Sequence, residues 1–242
     1  MTELDLPGAR AFFSNRRGGV SRGPYESLNL GILTDDAPER VERNRGRLAE
    51  MVGIEPSRVA MGWQVHGTDV REWHGAPESP GFAHPLRPPT RRAELPRVDG
   101  HATEVGGLGL LVLVADCLPV ALAGGGRAAM LHCGWRGLAD GIVRKGVESF
   151  PEPPAAAVGP GIGACCYEVG PEVLERFAHV RGAADGGHLD LRAVAEHELR
   201  ACGVERVDHL DHCTSCRPDL YFSHRRDRGV TGRQGGLVVL DA

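Results

Sequence analysis

Three short strings place reactive or metal-capable side chains beside glycine turns or at the ends of apolar runs. They are QVHG at 64–67, ADCLP at 115–119 and LHCGWRG at 131–137, and they carry His66, Cys117 and His132. Two imidazoles and a thiolate make a three-ligand set, and catalytic zinc is held by three protein ligands with a fourth position open. Zinc is borderline-soft and accepts both ligand types. The three residues lie 51 and 15 positions apart, so no local motif joins them. Spacing alone favours the plainer reading, Cys117 as a packing group after a strand and the turn histidines as solvated ones. Asp116, next to Cys117, is a candidate acid or base, or an anchor for a ligand histidine. A carboxylate capping a strand-end turn is the competing reading. With His132 as its base, Cys117 is also a candidate nucleophile.

The second signal is anionic. Arg16, Arg17, Arg22, Arg136, Arg225, Arg226 and Arg233 all sit in glycine-rich or turn contexts. A guanidinium grips phosphate or carboxylate through two parallel hydrogen bonds, and glycine lets backbone N–H groups approach an anion. All of the 28 basic residues except Lys145 are arginine, so plain surface arginine is the alternative at each position. The GPGIG run at 159–163 lacks the Lys-Ser/Thr of a P-loop and the spacing of a dinucleotide fingerprint. Cys213 and Cys216, preceded by His209 and His212, look like half of a structural zinc site. The second CxxC is missing, because Cys165 and Cys166 are adjacent, so packing or an incidental pair is the reading here.

These residues need a scaffold. A chain of 242 residues with 34 glycines and 17 prolines carries about twice the usual ~7% glycine, yet the glycines interleave with apolar runs instead of forming tracts. The net charge of −4 gives no basic footprint for nucleic acid. Nothing approaches the ~18 consecutive apolar residues of a membrane span. The first residues lack the basic start and apolar run of a secretory signal, so reduced thiols and a cytoplasmic location are expected.

A proline near its start and an apolar stripe predict a helix over about Pro38–Val52. Arg58–Trp63 and Thr68–Trp73 read as strands flanking a hairpin turn at His66-Gly67. Residues 75–97, with six prolines, read as a flexible surface loop within one domain spanning 1–242. Leu108–Val114, Leu118–Ala123 and Ala128–His132 read as buried strands. Cys117 and His132 therefore stand at strand ends, where open sheets place ligand sites. A helix follows over Leu138–Phe150 and a strand over Ala155–Val158. Helices are expected over Pro171–Phe177 and Leu191–Cys202, with short strands at Arg206–His209 and Leu237–Leu240. Strands and helices mix without strict alternation, which predicts a mixed sheet in an α/β or α+β domain.

RRGGVSRGPYESLNLG, VERNR, WQVHG, VADCLPV, LHCGWRGL, VGPGIGACCYEVG and YFSHRR with TGRQ run in order from Phe12 to Val239. Together they resemble the laccase-domain or multicopper polyphenol oxidase family, also described as bacterial purine nucleoside phosphorylases or peptidoglycan-editing factors. The resemblance implies a four-layer α/β/β/α domain related to cysteine-hydrolase-like toxins, and a zinc site on His66, Cys117 and His132, with copper as the alternative ion. It implies phosphate-dependent cleavage of adenosine, inosine and methylthioadenosine, with adenosine deaminase activity besides. Cys133 stands where the family has alanine, and strand alternation points it away from His132. His224 replaces a common aromatic.

With that substrate class, Arg17, Arg136, Arg225 and Arg233 are candidate phosphate clamps, and Asn44 and Gln64 candidate partners of ribose or base. Zinc suits deamination at purine C6. Purine nucleosides and phosphate are the expected partners, without nucleic acid or membrane, in a monomer or weak homodimer. Three rivals remain. A Cys117–His132 amide hydrolase in peptidoglycan precursor editing fits the toxin-like fold. A copper phenol oxidase would need repeated His-x-His pairs, which the eleven histidines do not form. A non-enzymatic zinc-stabilised module would close its site with a fourth ligand.

Overall fold

The computed structural model describes residues 1–78, 82 and 95–242. In chain order come β1 (Thr2–Leu6), β2 (Ala9–Phe13), α1 (Pro38–Val52), β3 (Val59–Ala60), β4 (Val70–Trp73), β5 (Gly100–Thr103), β6 (Gly109–Val114), β7 (Leu118–Gly124) and β8 (Arg127–Cys133). Then follow α2 (Trp135–Ala139), α3 (Ile142–Val147), β9 (Ala155–Val158), α4 (Pro171–Arg176), β10 (Ala184–Asp185), β11 (His188–Leu189), α5 (Leu191–Ala201), β12 (Val207–His209) and β13 (Gln234–Leu240).

Two mixed sheets form. One has the order β1-β2-β13-β6-β3 and the other β12-β9-β7-β8-β5-β4. They face each other across a core of small and aliphatic side chains, including Ala11, Leu110 and Val112 from the first sheet and Ala121, Met130 and Ala157 from the second. Alternation along each strand sends the other residues outward. Val120 and Leu122 of β7 and Leu131 of β8 pack under α3 and α5, while Leu111 and Leu237 pack under Leu48 and Val52 of α1. The four-layer α/β/β/α arrangement follows directly.

Alternation also settles the Cys133 question. His132 shares its strand face with Ala128 and Met130, towards the other sheet, whereas Cys133 belongs to the helix-side core with Ala129 and Leu131. Burial pushes the Cys133 thiol well up.

Several expectations need correction. The hairpin across His66-Gly67 does not form, because β3 pairs with β6 in one sheet and β4 pairs with β5 in the other. The segment between them instead crosses from sheet to sheet. The helix expected over Leu138–Phe150 is two short helices, α2 and α3, broken at Gly141 (φ 92°), a left-handed conformation that glycine adopts without cost. Strands β1, β2, β5, β10 and β11 went unforeseen. Most of the 75–97 loop lies outside the described residues. Among the described residues, no helix is long and apolar enough to cross a membrane.

Candidate metal and active site

Each of the three focal residues is delivered by a connection between the two sheets or by a strand facing the gap. The chain leaves β6 at Val114, turns through Asp116 (φ 93°) and Cys117, and enters the other sheet as β7. His132 lies on β8, in register with Pro119 of β7. His66 sits in the crossing segment before β4 with φ 61°. A positive φ on a non-glycine residue costs of order 1–3 kcal/mol and persists only where surroundings enforce it. Here they do: Asp116 accepts hydrogen bonds from Thr214 Oγ1 at 2.7 Å and the Arg225 amide at 2.7 Å.

The enforcing group at His66 is Asp99. Its buried carboxylate accepts the backbone amides of Val65 at 3.1 Å, His66 at 2.9 Å and Gly67 at 2.7 Å. It also accepts from His132 Nδ1 at 2.8 Å. One side chain thus clamps the His66 loop and aims the His132 ring. Sequence reasoning missed Asp99 and assigned the histidine-anchoring task to Asp116. The Asp116 oxygens instead bracket the Thr214 and Arg225 loops. Asp99 precedes a glycine in VDG, a signal too common to single it out.

The outcome is convergence. The candidate ligand atoms of His66, Cys117 and His132 all lie within 4.8 Å of one another, and the two imidazole rings are 4.9 Å apart, edge to face. His132 is buried and His66 exposed, so the cluster opens to solvent on one side. Gly134 makes room for it, since a Cβ there would lie 3.0 Å from Cys117 Sγ and 3.1 Å from His66 Cδ2.

The residues fit a zinc ion. With Nδ1 donating to Asp99, His132 keeps its Nε2 lone pair for a metal, and an outer carboxylate on a ligand histidine is how zinc sites fix ring orientation. The electrostatics agree. Burial alone would raise the Cys117 thiol, but the charge and hydrogen bonds of His132 and His66 bring it down to about 6. Burial would lower His132, but the Cys117 thiolate and Asp99 lift it to about 9, so a metal binding there would displace the Nε2 proton. Thiolate is the form that binds metal.

The cluster forms part of a cavity of about 510 Å³ whose walls include Trp63, Trp135, Tyr167 and His224, within the range of small-molecule sites. Three of the candidate arginines reach it: Arg136, Arg225 and Arg233. Arg136 stacks on Trp135 at 4.3 Å. Arg225 lies over Tyr167 at 5.1 Å and donates Nη1 to the Glu168 carbonyl at 2.6 Å. Arg233 spends Nη1 on the carbonyls of Thr231 and Gly232.

The remaining candidates are elsewhere or occupied. Arg17 is exposed and pairs with Asp219 at 3.1 Å, away from the cavity. Asn44 is buried, and its amide joins Val20, Ser21, Ser27 and Asn29. Gln64 lines the wall, but its amide is paired at both ends with the Leu113 backbone, at 2.7 and 2.8 Å.

Two mixed sheets packed face to face, with an open His2Cys cluster at the crossing between them, define an α/β/β/α protein with a candidate metal site in a cavity of small-molecule size. The chain belongs to the multi-copper polyphenol oxidoreductase laccase family, whose model matches residues 10–241. It is 36% identical over 259 residues to a protein named purine nucleoside phosphorylase YfiH from Escherichia coli strain K12, covering 99% of this chain and 100% of the relative. It is 40% identical over 248 residues to purine nucleoside phosphorylase SCO2081 of Streptomyces coelicolor, covering 97% and 96%. The crystal structure of YlmD from Geobacillus stearothermophilus superposes with a TM-score of 0.83 at 32% identity, covering 98% of this chain and 93% of that one. A Bacillus licheniformis hypothetical protein YfiH superposes with a TM-score of 0.86 at 29% identity, covering 96% and 92%.

Proposed function

We propose that this protein is a zinc-dependent purine nucleoside phosphorylase, acting on adenosine, inosine and methylthioadenosine, with adenosine deaminase activity at the same site. The observation that carries the reading is a single cavity in which the His2Cys cluster faces three arginines. The names of the relatives supply the substrate class. His66, Cys117 and His132 would hold the ion. Zinc bound there supplies a Lewis acid, a chemistry on which base release and removal of the purine 6-amino group can both draw.

Arg136, Arg225 and Arg233 present guanidinium N–H groups to phosphate. Trp135 and Tyr167 offer faces for a purine. Held against the ribose, a phosphate oxygen bonds to C1′ as the C1′–N9 bond breaks, and the base leaves with a proton from solvent. Proximity is the main contribution of the clamp. Asp116 acts as a positioning residue, because both its oxygens are committed to Thr214 and the Arg225 backbone. Soluble, cytoplasmic action as a monomer or weak dimer completes the proposal.

A specific observation favours one rival. Asp99, His132 and Cys117 stand in the order of a carboxylate–imidazole–thiol triad, the arrangement that activates a nucleophilic cysteine in amide hydrolysis. Zinc-loaded protein should release hypoxanthine from inosine only when phosphate is present, and His66→Ala should abolish that release. Equal cleavage without phosphate overturns phosphorolysis. Metal-free protein that is alkylated at Cys117 and loses an amidase activity as a result establishes the rival instead.

A further inference from the structure

A second sulfur-rich site lies outside this cavity. The parallel bridge between Gly161 and Cys213, with the Thr214 amide donating to the Gly161 carbonyl at 3.0 Å, sets two loops side by side. Both then turn, at 164–166 and at 214–216. The turns bring together Cys165, Cys166, Cys213 and Cys216, whose sulfurs all lie within 4.8 Å of one another. Cys216 Sγ is 3.5 Å from Cys165 Sγ and 3.3 Å from Cys166 Sγ. The adjacent cysteines therefore complete the half-site that their spacing had argued against.

We propose that these four cysteines form a structural tetrathiolate zinc site. The sulfur spacing matches one ion: bonds of about 2.3 Å to a tetrahedral zinc put the sulfurs roughly 3.8 Å apart. A polynuclear iron–sulfur cluster would hold its cysteines farther apart. Nor does apolar packing account for the group, since Cys165 and Cys216 are exposed. The backbone is arranged for thiolate: the Gly163 amide donates to Cys213 Sγ at 3.2 Å. Each sulfur binds as thiolate, so any thiol proton passes to solvent and no redox change is involved. The site closes with four protein ligands, the mark of a structural role.

What the ion would fasten is one side of the cavity. The 164–168 turn carries Tyr167 and Glu168, on which Arg225 rests. The 213–216 turn carries Thr214, which donates to Asp116 at 2.7 Å and accepts from Arg226 Nη1 at 2.9 Å. Neither loop has regular secondary structure of its own to hold it.

The test is metal content per chain in protein prepared with zinc under reducing conditions, for the wild type, Cys213→Ser/Cys216→Ser and Cys117→Ala. The double variant should lose one equivalent and melt at lower temperature, while Cys117→Ala should keep one equivalent. That pattern stands whether or not the His66–Cys117–His132 cluster holds metal, because that cluster governs only the equivalent that Cys117→Ala removes. Should the double variant fail to fold, demetallated Cys117→Ala protein is titrated with cobalt. Sulfur-to-cobalt charge-transfer absorption rising to an endpoint at one equivalent supports the site. An unchanged metal count in the double variant, no such absorption, or a disulfide among the four cysteines in mass spectra of the reduced, zinc-supplemented protein overturns it.

Discussion

Replacing Asp99 by asparagine tests the keystone of the His2Cys cluster without changing its size. The carboxylate takes four hydrogen bonds, two on each oxygen: His66 N and His132 Nδ1 on Oδ1, Val65 N and Gly67 N on Oδ2. Asparagine keeps one oxygen. Whichever way its amide turns, the NH2 group faces two donors. Two hydrogen bonds to a charged acceptor, at about 1.5–3 kcal/mol each, are then lost, for roughly 3–6 kcal/mol. The His66 loop is partly exposed and can move away, so the lower figure, ~3 kcal/mol, is expected. In a chain of this size that lowers Tm by roughly 6–12 °C. Loss of an outer carboxylate typically costs about 10–100-fold in metal affinity, and here it also frees the His66 backbone. Zinc affinity read by chelator competition, together with a calorimetric melt, gives both quantities. Asp116→Asn serves as the control, expected to leave zinc affinity within about threefold because Asp116 does not touch either histidine. An Asp99→Asn protein with wild-type affinity and Tm would show that the cluster does not depend on this clamp.

Further outcomes follow from the same geometry. Asn44→Ala removes an amide that joins four buried or half-buried groups and should cost about 2–4 kcal/mol in denaturant melts. It should leave the KM for inosine unchanged; a raised KM with full stability would return Asn44 to the substrate site. Arg233→Met should raise the KM for phosphate about tenfold or more, from loss of charge-assisted hydrogen bonds. An unaltered phosphate KM removes Arg233 from the clamp.

Burial holds His101 down to about 4. Trp73 Nε1 donates to its Nδ1 at 3.1 Å, so Nε2 carries the proton and has no partner among the described residues. Below pH 6.5 the unfolded chain takes up a proton that the folded one refuses. Stability is therefore full above that value and falls as pH drops towards 4, by about 3 kcal/mol from this group. Urea melts of the wild type and His101→Gln at pH 7 and pH 4.5 measure it, and an equal acid loss in both proteins refutes the assignment.

The long apolar runs were legible along the chain. Strands β6, β7 and β8 are enclosed by a sheet on one side and a helix or loop layer on the other, so both faces are apolar and the run is continuous. Helix α1 was legible for a related reason, because one face packs on a sheet and the rest meets water. Strand β5, Gly100–Thr103, contains His101 and small residues, and its identity comes from its neighbours β4 and β8. The supposed hairpin at 58–73 failed because two nearby strand-like segments do not specify their pairing partners. Each found a better partner in a different sheet.

Residue type alone was enough to nominate His66, Cys117 and His132, since only a few side chains ligate metal and few of those stand beside turns. The same knowledge of type proposed Arg17 and Asn44, whose side chains turned out to be spent on Asp219 and on neighbouring backbone. Positions 51 and 15 residues apart contain no distance. Distance arose when the β6–β7 connection, the end of β8 and the crossing segment before β4 met at one end of the strands of two packed sheets. Asp99 belongs wholly to that level, as does the joining of Cys165 and Cys166 to the half-site at Cys213 and Cys216. A carboxylate that gathers three amides and an imidazole, or two loops that pool four sulfurs, exists only once non-local pairing has closed the chain around it.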